Sequence, residues 1–293
     1  MNSPIFALKI KIMFRGPITF LFLTLLAVPS MAQKENTRFN KGRLAIYWGW
    51  NRSMFTPSDI RFTGNDHDFT LYGVKAYDRP TPISADVYLD PGLATIPQTN
   101  YGIRYFFQDN WEVSVNFDHM KYVMPQDQVV RIEGYIDSPD SEFNGVYTGE
   151  DIKLTEEFLM FEHTDGLNYI NTEVSRYHSL LRLHETSNFD MDVNVLAGAG
   201  VGIMFPKSNV MLWGTNRRDE FHVAGWGANL KVGLNLTFYR FFFIQTELKG
   251  GYINMNDILT SVNNDYRAAQ DFFFTQWNFF FGGYIPLIKP KKE

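Results

Sequence analysis

Three segments in the last third of the chain alternate between apolar and polar residues with a period of two. The apolar or small members of these series are Ala228, Leu230, Val232, Leu234, Leu236 and Phe238, then Ile244, Thr246, Leu248, Gly250 and Tyr252, then Phe273, Thr275, Trp277, Phe279 and Phe281. Because successive side chains of a β-strand point to opposite faces, each segment predicts a strand with one apolar and one polar face. Alternation alone does not distinguish a soluble sandwich from a membrane barrel, whose apolar face points outward.

The same alternation recurs in five earlier segments, so the sequence predicts eight strands. The earlier segments are Arg43–Asn51, Asn100–Phe107, Trp111–Met124, Gly166–Leu183 and Met191–Phe205. The segments are close to ten residues long, carry aromatic residues at their ends, and are joined alternately by longer connections and short turns, as is typical of outer-membrane barrels. The predicted fold class is therefore all-β, an eight-stranded antiparallel transmembrane β-barrel with long extracellular loops.

The two longest connections, 52–99 and 125–165, are polar and punctuated by proline and glycine, which predicts loops. Within the first of them, Asp68–Tyr77 has the pattern of a short strand. A larger barrel that recruits strands from 52–99 is the alternative to the eight-stranded prediction.

The N-terminus has the three parts of a secretory signal. Lys9, Lys11 and Arg15 precede an apolar segment at 18–28, and Ser30-Met31-Ala32 supplies small residues at the positions that signal peptidase reads. The apolar segment is too short to be retained as a membrane-spanning helix. Cleavage is therefore predicted after Ala32.

The predicted organisation has four parts. A signal peptide at 1–32 is followed by a periplasmic segment at 33–41, the barrel at 42–286 and a periplasmic tail at 287–293. The chain contains no cysteine, which excludes a lipoprotein anchor, a disulfide framework and thiol chemistry. The predicted location is the outer membrane of a Gram-negative bacterium.

The interior of an eight-stranded barrel is just wide enough to be filled by side chains. The positions predicted to face inward carry charges of both signs, which would neutralise one another: Arg104, Glu112, Asp118, Glu173, Asp192, Lys231, Glu247 and Lys249. Gly198, Gly200 and Gly202 form a row on the same face, which leaves room for large side chains opposite or lets the sheet curve. We therefore predict a structural or surface-exposed barrel without a wide pore; a small-solute channel is the alternative.

Four residues on strands three and four and at the rim between them are candidate catalytic residues: Asp118, His119, His163 and Asp165. The two strands form a hairpin, so these residues should lie near the same outer rim, together with Glu162. Histidines and carboxylates can bind a divalent metal or act as acid and base, although the spacing matches no strict metal motif. The alternative is that they bind loops or lipid phosphates through hydrogen bonds. No cofactor other than a metal is predicted.

The overall charge of the chain indicates whether nucleic acid could be a partner. The formal net charge is -5 and no basic patch is present, so nucleic acid is not a predicted partner.

The signal peptide, the eight strands and the loop pattern over Gly42–Pro286 resemble the small outer-membrane β-barrel superfamily. That resemblance implies contact with outer-membrane lipids and lipopolysaccharide, and insertion by the barrel assembly machinery. The stretches Phe161–Asn168 and Ala197–Gly202 are also similar to lipid A oxidase-type barrels. This second resemblance implies an alternative function, modification of lipid A in the outer leaflet by a His/Asp site at the outer rim.

Overall fold

The computed structural model describes residues 41–82, 84–88, 97–185, 189–214, 220–261 and 265–287. The predicted signal peptide, residues 33–40 and the tail beyond residue 287 lie outside the described residues. Within the ranges just given, no helix is long and apolar enough to cross a membrane.

Thirteen strands and one short helix follow one another along the described chain. They are β1 (Arg43–Phe55), β2 (Ser58–Thr63), β3 (His67–Val74), α1 (Ala85–Tyr88), β4 (Thr99–Gln108), β5 (Trp111–Val123), β6 (Val129–Ile136), β7 (Gly145–Lys153), β8 (Leu159–Glu185), β9 (Phe189–Met204), β10 (Asn209–Leu212), β11 (Gly225–Phe238), β12 (Phe242–Leu259) and β13 (Arg267–Pro286). All the strands belong to a single sheet.

Eight of the strands close into a ring in the order β1-β4-β5-β8-β9-β11-β12-β13. The ring is closed by β1 and β13, which pair antiparallel from Arg43 with Pro286 to Phe55 with Phe274. Closure gives every ring strand a partner on both sides, so its backbone groups are satisfied without water. The predicted eight-stranded antiparallel barrel is confirmed. The other strands extend the sheet rather than enlarge the ring, so the alternative of a larger barrel is not observed.

The outside of the ring is apolar and its inside is polar. Outward-facing side chains such as Leu230, Val201 and Trp277 are 64%, 64% and 58% exposed. All eight charged residues predicted to face inward are buried. Exposing large apolar side chains while burying charges is the reverse of a water-soluble protein and is expected where the outside contacts lipid. We call this exposed apolar surface the lipid-facing band.

The long connections contain more strand than the sequence pattern predicted. β2, β3, β6 and β7 extend from β13 in that order and form what we call the loop-end sheet, and β10 pairs with β8. The short strand predicted at Asp68–Tyr77 is confirmed as β3. Strand four, predicted at Gly166–Leu183, begins earlier, because β8 rises beyond the ring to pair with β10.

The buried side chains form three layers between the end of the ring with short connections (the turn end) and the opposite end (the loop end). The turn end is closed by the turn-end core: Ala45, Tyr47, Phe106, Tyr177, Leu196, Phe243, Phe280 and Tyr284. Charged and amide side chains fill the middle. A second cluster, the loop-end core, contains residues of both the ring strands and the loop-end sheet.

Candidate functional site

Two of the predicted catalytic residues are neighbours on β5 and therefore point to opposite faces. Asp118 is buried inside the ring. His119 is on the alternate face of the strand, and its Nδ1 lies 2.8 Å from Oδ1 of Asn168 on β8. The two side chains therefore have different surroundings, although they are adjacent in sequence.

His163 is fully buried in the loop-end core, on the part of β8 that lies beyond the lipid-facing band. Its ring centroid is 5.1 Å from that of Phe161 and 5.5 Å from that of Tyr122. Its Nε2 lies 3.2 Å from Nε2 of Gln270. Burial without a charged partner disfavours the imidazolium form and lowers the pKa of His163 to about 3. The imidazole is therefore neutral at physiological pH.

Of the other two rim residues, only the side chain of Glu162 is described. Asp165 is on β8, and its side chain lies outside the described residues. Glu162 points away from His163: its Oε1 accepts a hydrogen bond from Nδ2 of Asn209 at 2.7 Å, and its Oε2 is 3.4 Å from Nη2 of Arg79. No cluster of three or more histidines, aspartates or glutamates suited to a metal occurs in the part of the chain that the structure describes. The catalytic roles of these residues and the divalent metal stay predictions.

The neutral state of His163 predicts an acid-sensitive loop end. A histidine whose pKa is lower in the folded protein than its ordinary value of about 6.5 contributes stability above that value and loses it as the pH falls. At pH 5.0 the loss should be about 2 kcal/mol. In guanidinium unfolding in detergent micelles, His163→Gln should reduce the drop in unfolding free energy between pH 7.5 and pH 5.0 by this amount. Equal pH dependence of the unfolding free energy in the wild type and in His163→Gln would contradict the prediction.

Asp118 belongs to a chain of alternating charges that crosses the barrel interior. Nζ of Lys249 lies 2.6 Å from Oδ2 of Asp118 and 2.8 Å from Oε1 of Glu173. Nζ of Lys231 lies 2.7 Å from Oε2 of Glu173 and 3.2 Å from Oε1 of Glu247. We call these five side chains the charged layer. Each of its carboxylates contacts at least one cation.

Amide side chains complete the hydrogen bonding of the charged layer. Asp118 accepts hydrogen bonds from Nδ2 of Asn100 at 2.7 Å and from Nδ2 of Asn171 at 3.0 Å. Oε1 of Glu173 also accepts one from Nδ2 of Asn229, at 2.8 Å. Buried ions are tolerated when they are paired and their remaining lone pairs are satisfied. These contacts support a structural role for Asp118 in the barrel interior.

A second charged pair lies next to the turn-end core. Nε of Arg104 is 3.4 Å from Oε2 of Glu112, and both side chains are fully buried. Nη1 of Arg104 donates a hydrogen bond to Oε1 of Gln245 at 2.9 Å. The guanidinium also lies 4.1 Å from the ring centroid of Tyr47, a cation–π contact. The charged layer and the turn-end core are thereby joined.

The glycine row on β9 makes room for this layer. A Cβ atom at Gly200 would lie 2.5 Å from Cγ of Glu173, and one at Gly198 would lie 2.5 Å from Oγ of Ser175. The prediction that the row leaves room for large side chains opposite is confirmed. Without that space, Glu173 could not reach both lysines.

No protein-family model and no curated protein sequence matches this chain. Among solved structures, it is similar to the outer membrane protein OprG from Pseudomonas aeruginosa (TM-score 0.38, 11% identity, covering 85% of this chain and 99% of that one). It is also similar to Ail, the attachment invasion locus protein of Yersinia pestis (0.26, 13%, 84% and 99%), and to Neisserial surface protein A (0.27, 9%, 80% and 96%). Independently of these likenesses, the closed ring, apolar outside and polar inside of the described chain are those of a β-barrel of the bacterial outer membrane.

Proposed function

We propose that this protein is a closed outer-membrane barrel that presents a folded β-sheet at the cell surface. One observation carries the proposal: the barrel and the loop-end sheet share a single apolar core. Ile60, Phe69 and Ile132 of the sheet belong to the same buried cluster as Met255 and Phe272 of the ring. Because this core is continuous, the sheet is held by the barrel as a fixed platform.

The outward face of the loop-end sheet is polar and its outer edge is open. Arg61 and Asp68 form an exposed ion pair at 2.7 Å, and the hydroxyl of Tyr72 donates to Oε2 of Glu133 at 3.0 Å. Within the described residues, β7 pairs only with β6, and Val146 on it is 79% exposed. An exposed strand edge offers unpaired backbone groups to an extended partner. These features support a surface that binds another molecule.

The filled interior supports a barrel without a pore rather than a solute channel. The turn-end core blocks one end with Tyr47, Phe106, Tyr177 and Phe243. The charged layer and the loop-end core occupy the rest. A channel would need a continuous polar path, so folded protein in planar bilayers should give no conductance steps.

The absence of natural cysteine gives a direct test of surface presentation. Val146→Cys, at the exposed edge of the sheet, should react with a membrane-impermeant maleimide on intact cells. The matched control Tyr239→Cys, which is 61% exposed at the turn end, should react only after the outer membrane is permeabilised. Leu71→Cys, which is fully buried in the loop-end core, should not react in the folded protein. Labelling of Tyr239→Cys but not Val146→Cys on intact cells would contradict the proposal.

A further inference from the structure

A groove on the outside of the barrel lies where β1 and β13 meet α1. It has a volume of about 440 Å³. Its wall is aromatic, with Trp50, Trp277 and Phe279 contributed by the ring and Tyr88 by α1. The three ring residues belong to the lipid-facing band, so the groove opens onto the lipid that surrounds the barrel.

The guanidinium of Arg52 lies at the loop-end side of this groove. Arg52 pairs with Trp277 across β1 and β13, and its side chain lines the groove. Its Nη1 donates to the carbonyl oxygen of Asn51 at 2.7 Å and its Nη2 to the hydroxyl of Tyr88 at 3.2 Å. Both acceptors are neutral, so these hydrogen bonds hold the guanidinium in place without neutralising its charge.

A second cation lies at the same level of the wall. Trp50 of β1 pairs with Thr99, at the beginning of β4, and Asp118 of β5 pairs with the next residue of β4. Arg52 and Lys121 therefore flank the beginning of β4, both on the outward face. Nζ of Lys121 lies 3.4 Å from Oγ1 of Thr81, in the segment that leads to α1.

The carboxylate of Asp78 is close enough to Arg52 and Lys121 to interact with both charges, and its oxygens accept hydrogen bonds from neutral donors. Oδ2 of Asp78 accepts a hydrogen bond from the backbone N–H of Ser53 at 2.8 Å, and Oδ1 accepts one from Nε2 of Gln98 at 2.7 Å. Asp78 thus fixes the segment that carries α1 against β1 and offsets part of the charge of the two cations. The groove combines an aromatic wall within the membrane with cations at the level where lipid headgroups begin.

We propose that this groove binds a phosphorylated glycolipid of the lipid A class, with one acyl chain along the aromatic wall and a phosphate on Arg52. Arginine matches phosphate oxygens with two parallel N–H groups, and the contact is strengthened where water is scarce. The groove lies on the loop-end side of the lipid-facing band. The loop end faces the exterior in barrels of this kind, so the lipid within reach is that of the outer leaflet.

Native mass spectrometry of the folded protein in detergent, with diphosphoryl lipid A as the probe, tests the proposal. Arg52→Gln should bind the probe about tenfold more weakly than the wild type, a difference of about 1.4 kcal/mol. The wild-type protein should bind fully dephosphorylated lipid A about tenfold more weakly than it binds the diphosphoryl probe. The matched control Arg61→Gln, which removes an arginine from the loop-end sheet, should bind the probe as the wild type does.

Tyr88→Phe separates the charge of Arg52 from its hydrogen bond to α1. This variant loses the hydroxyl that positions the guanidinium of Arg52 but keeps the charge and the aromatic wall, so its loss of affinity for lipid A should be smaller than that of Arg52→Gln. Equal binding by Arg52→Gln and the wild type would overturn the proposal. So would equal affinity of the wild type for phosphatidylglycerol and lipid A, because the groove would then hold any anionic bilayer lipid.

Discussion

Replacement of Lys249 by methionine is expected to lower the free energy of unfolding by about 3–5 kcal/mol. Lys249 is the cation that Asp118 contacts at 2.6 Å, and it is one of two that contact Glu173. Methionine keeps the length and the apolar contacts of the side chain but leaves Asp118 as a buried carboxylate without a cation. The loss should therefore exceed that of a surface ion pair, which contributes at most about 1 kcal/mol.

Guanidinium unfolding in detergent micelles, followed by tryptophan fluorescence, measures this loss. The control is Arg61→Met, which breaks an ion pair whose side chains are 58% and 40% exposed. A double variant, Asp118→Asn with Lys249→Met, removes the unpaired charge and should be more stable than Lys249→Met alone. If Lys249→Met costs no more than Arg61→Met, the charged layer does not stabilise the barrel as argued.

The ring could be predicted from the sequence because each of its strands has a strict period. Lys231, Glu247 and Lys249 alternate with the apolar or small residues of their segments, and this parity alone assigns them to the interior. The sequence does not predict which cation pairs with which carboxylate. That depends on the register between strands, and Glu173 meets both lysines because Gly200 is opposite it.

The loop end was harder to predict, because its strands are short and their apolar faces meet residues distant in sequence. His163 illustrates the difficulty. Beside Glu162 and Asp165, it has the pattern of a polar rim site, yet the loop-end core covers it completely. That core depends on β2, β3 and β6 folding onto the ring, which no local pattern specifies.

The outward-facing series of β1 contains one charged residue, Arg52, whose position the structure explains. On β1, the outward series Ile46, Trp48, Trp50 is interrupted by Arg52 before Met54. Read alone, such a charge marks the end of a membrane strand. In the structure β1 continues to Phe55, and α1 packs beside the arginine. A charge inside an otherwise apolar outward series can therefore indicate a position that another segment of the chain covers.

Replacement of Leu234 by arginine is expected to cost about 2–4 kcal/mol of folding free energy in a bilayer. Leu234 faces outward on β11, pairs with Val195 and Thr246, and lies near the middle of the lipid-facing band. An arginine there must either enter the hydrocarbon or thin the bilayer to reach water, and both are unfavourable. Reversible guanidinium titration of the protein in lipid vesicles measures the cost.

A depth-matched comparison makes this test specific for lipid contact. Met54 also faces outward, is 70% exposed, and lies at the loop end of β1, where the headgroups begin. Met54→Arg should cost no more than about 1 kcal/mol, because the penalty falls toward the interface. A water-exposed wall would tolerate both variants equally, so equal costs would refute the membrane placement of the ring. A cost that rises from Met54 to Leu234 would show that Leu234 lies deeper in the bilayer than Met54, as the lipid-facing band requires.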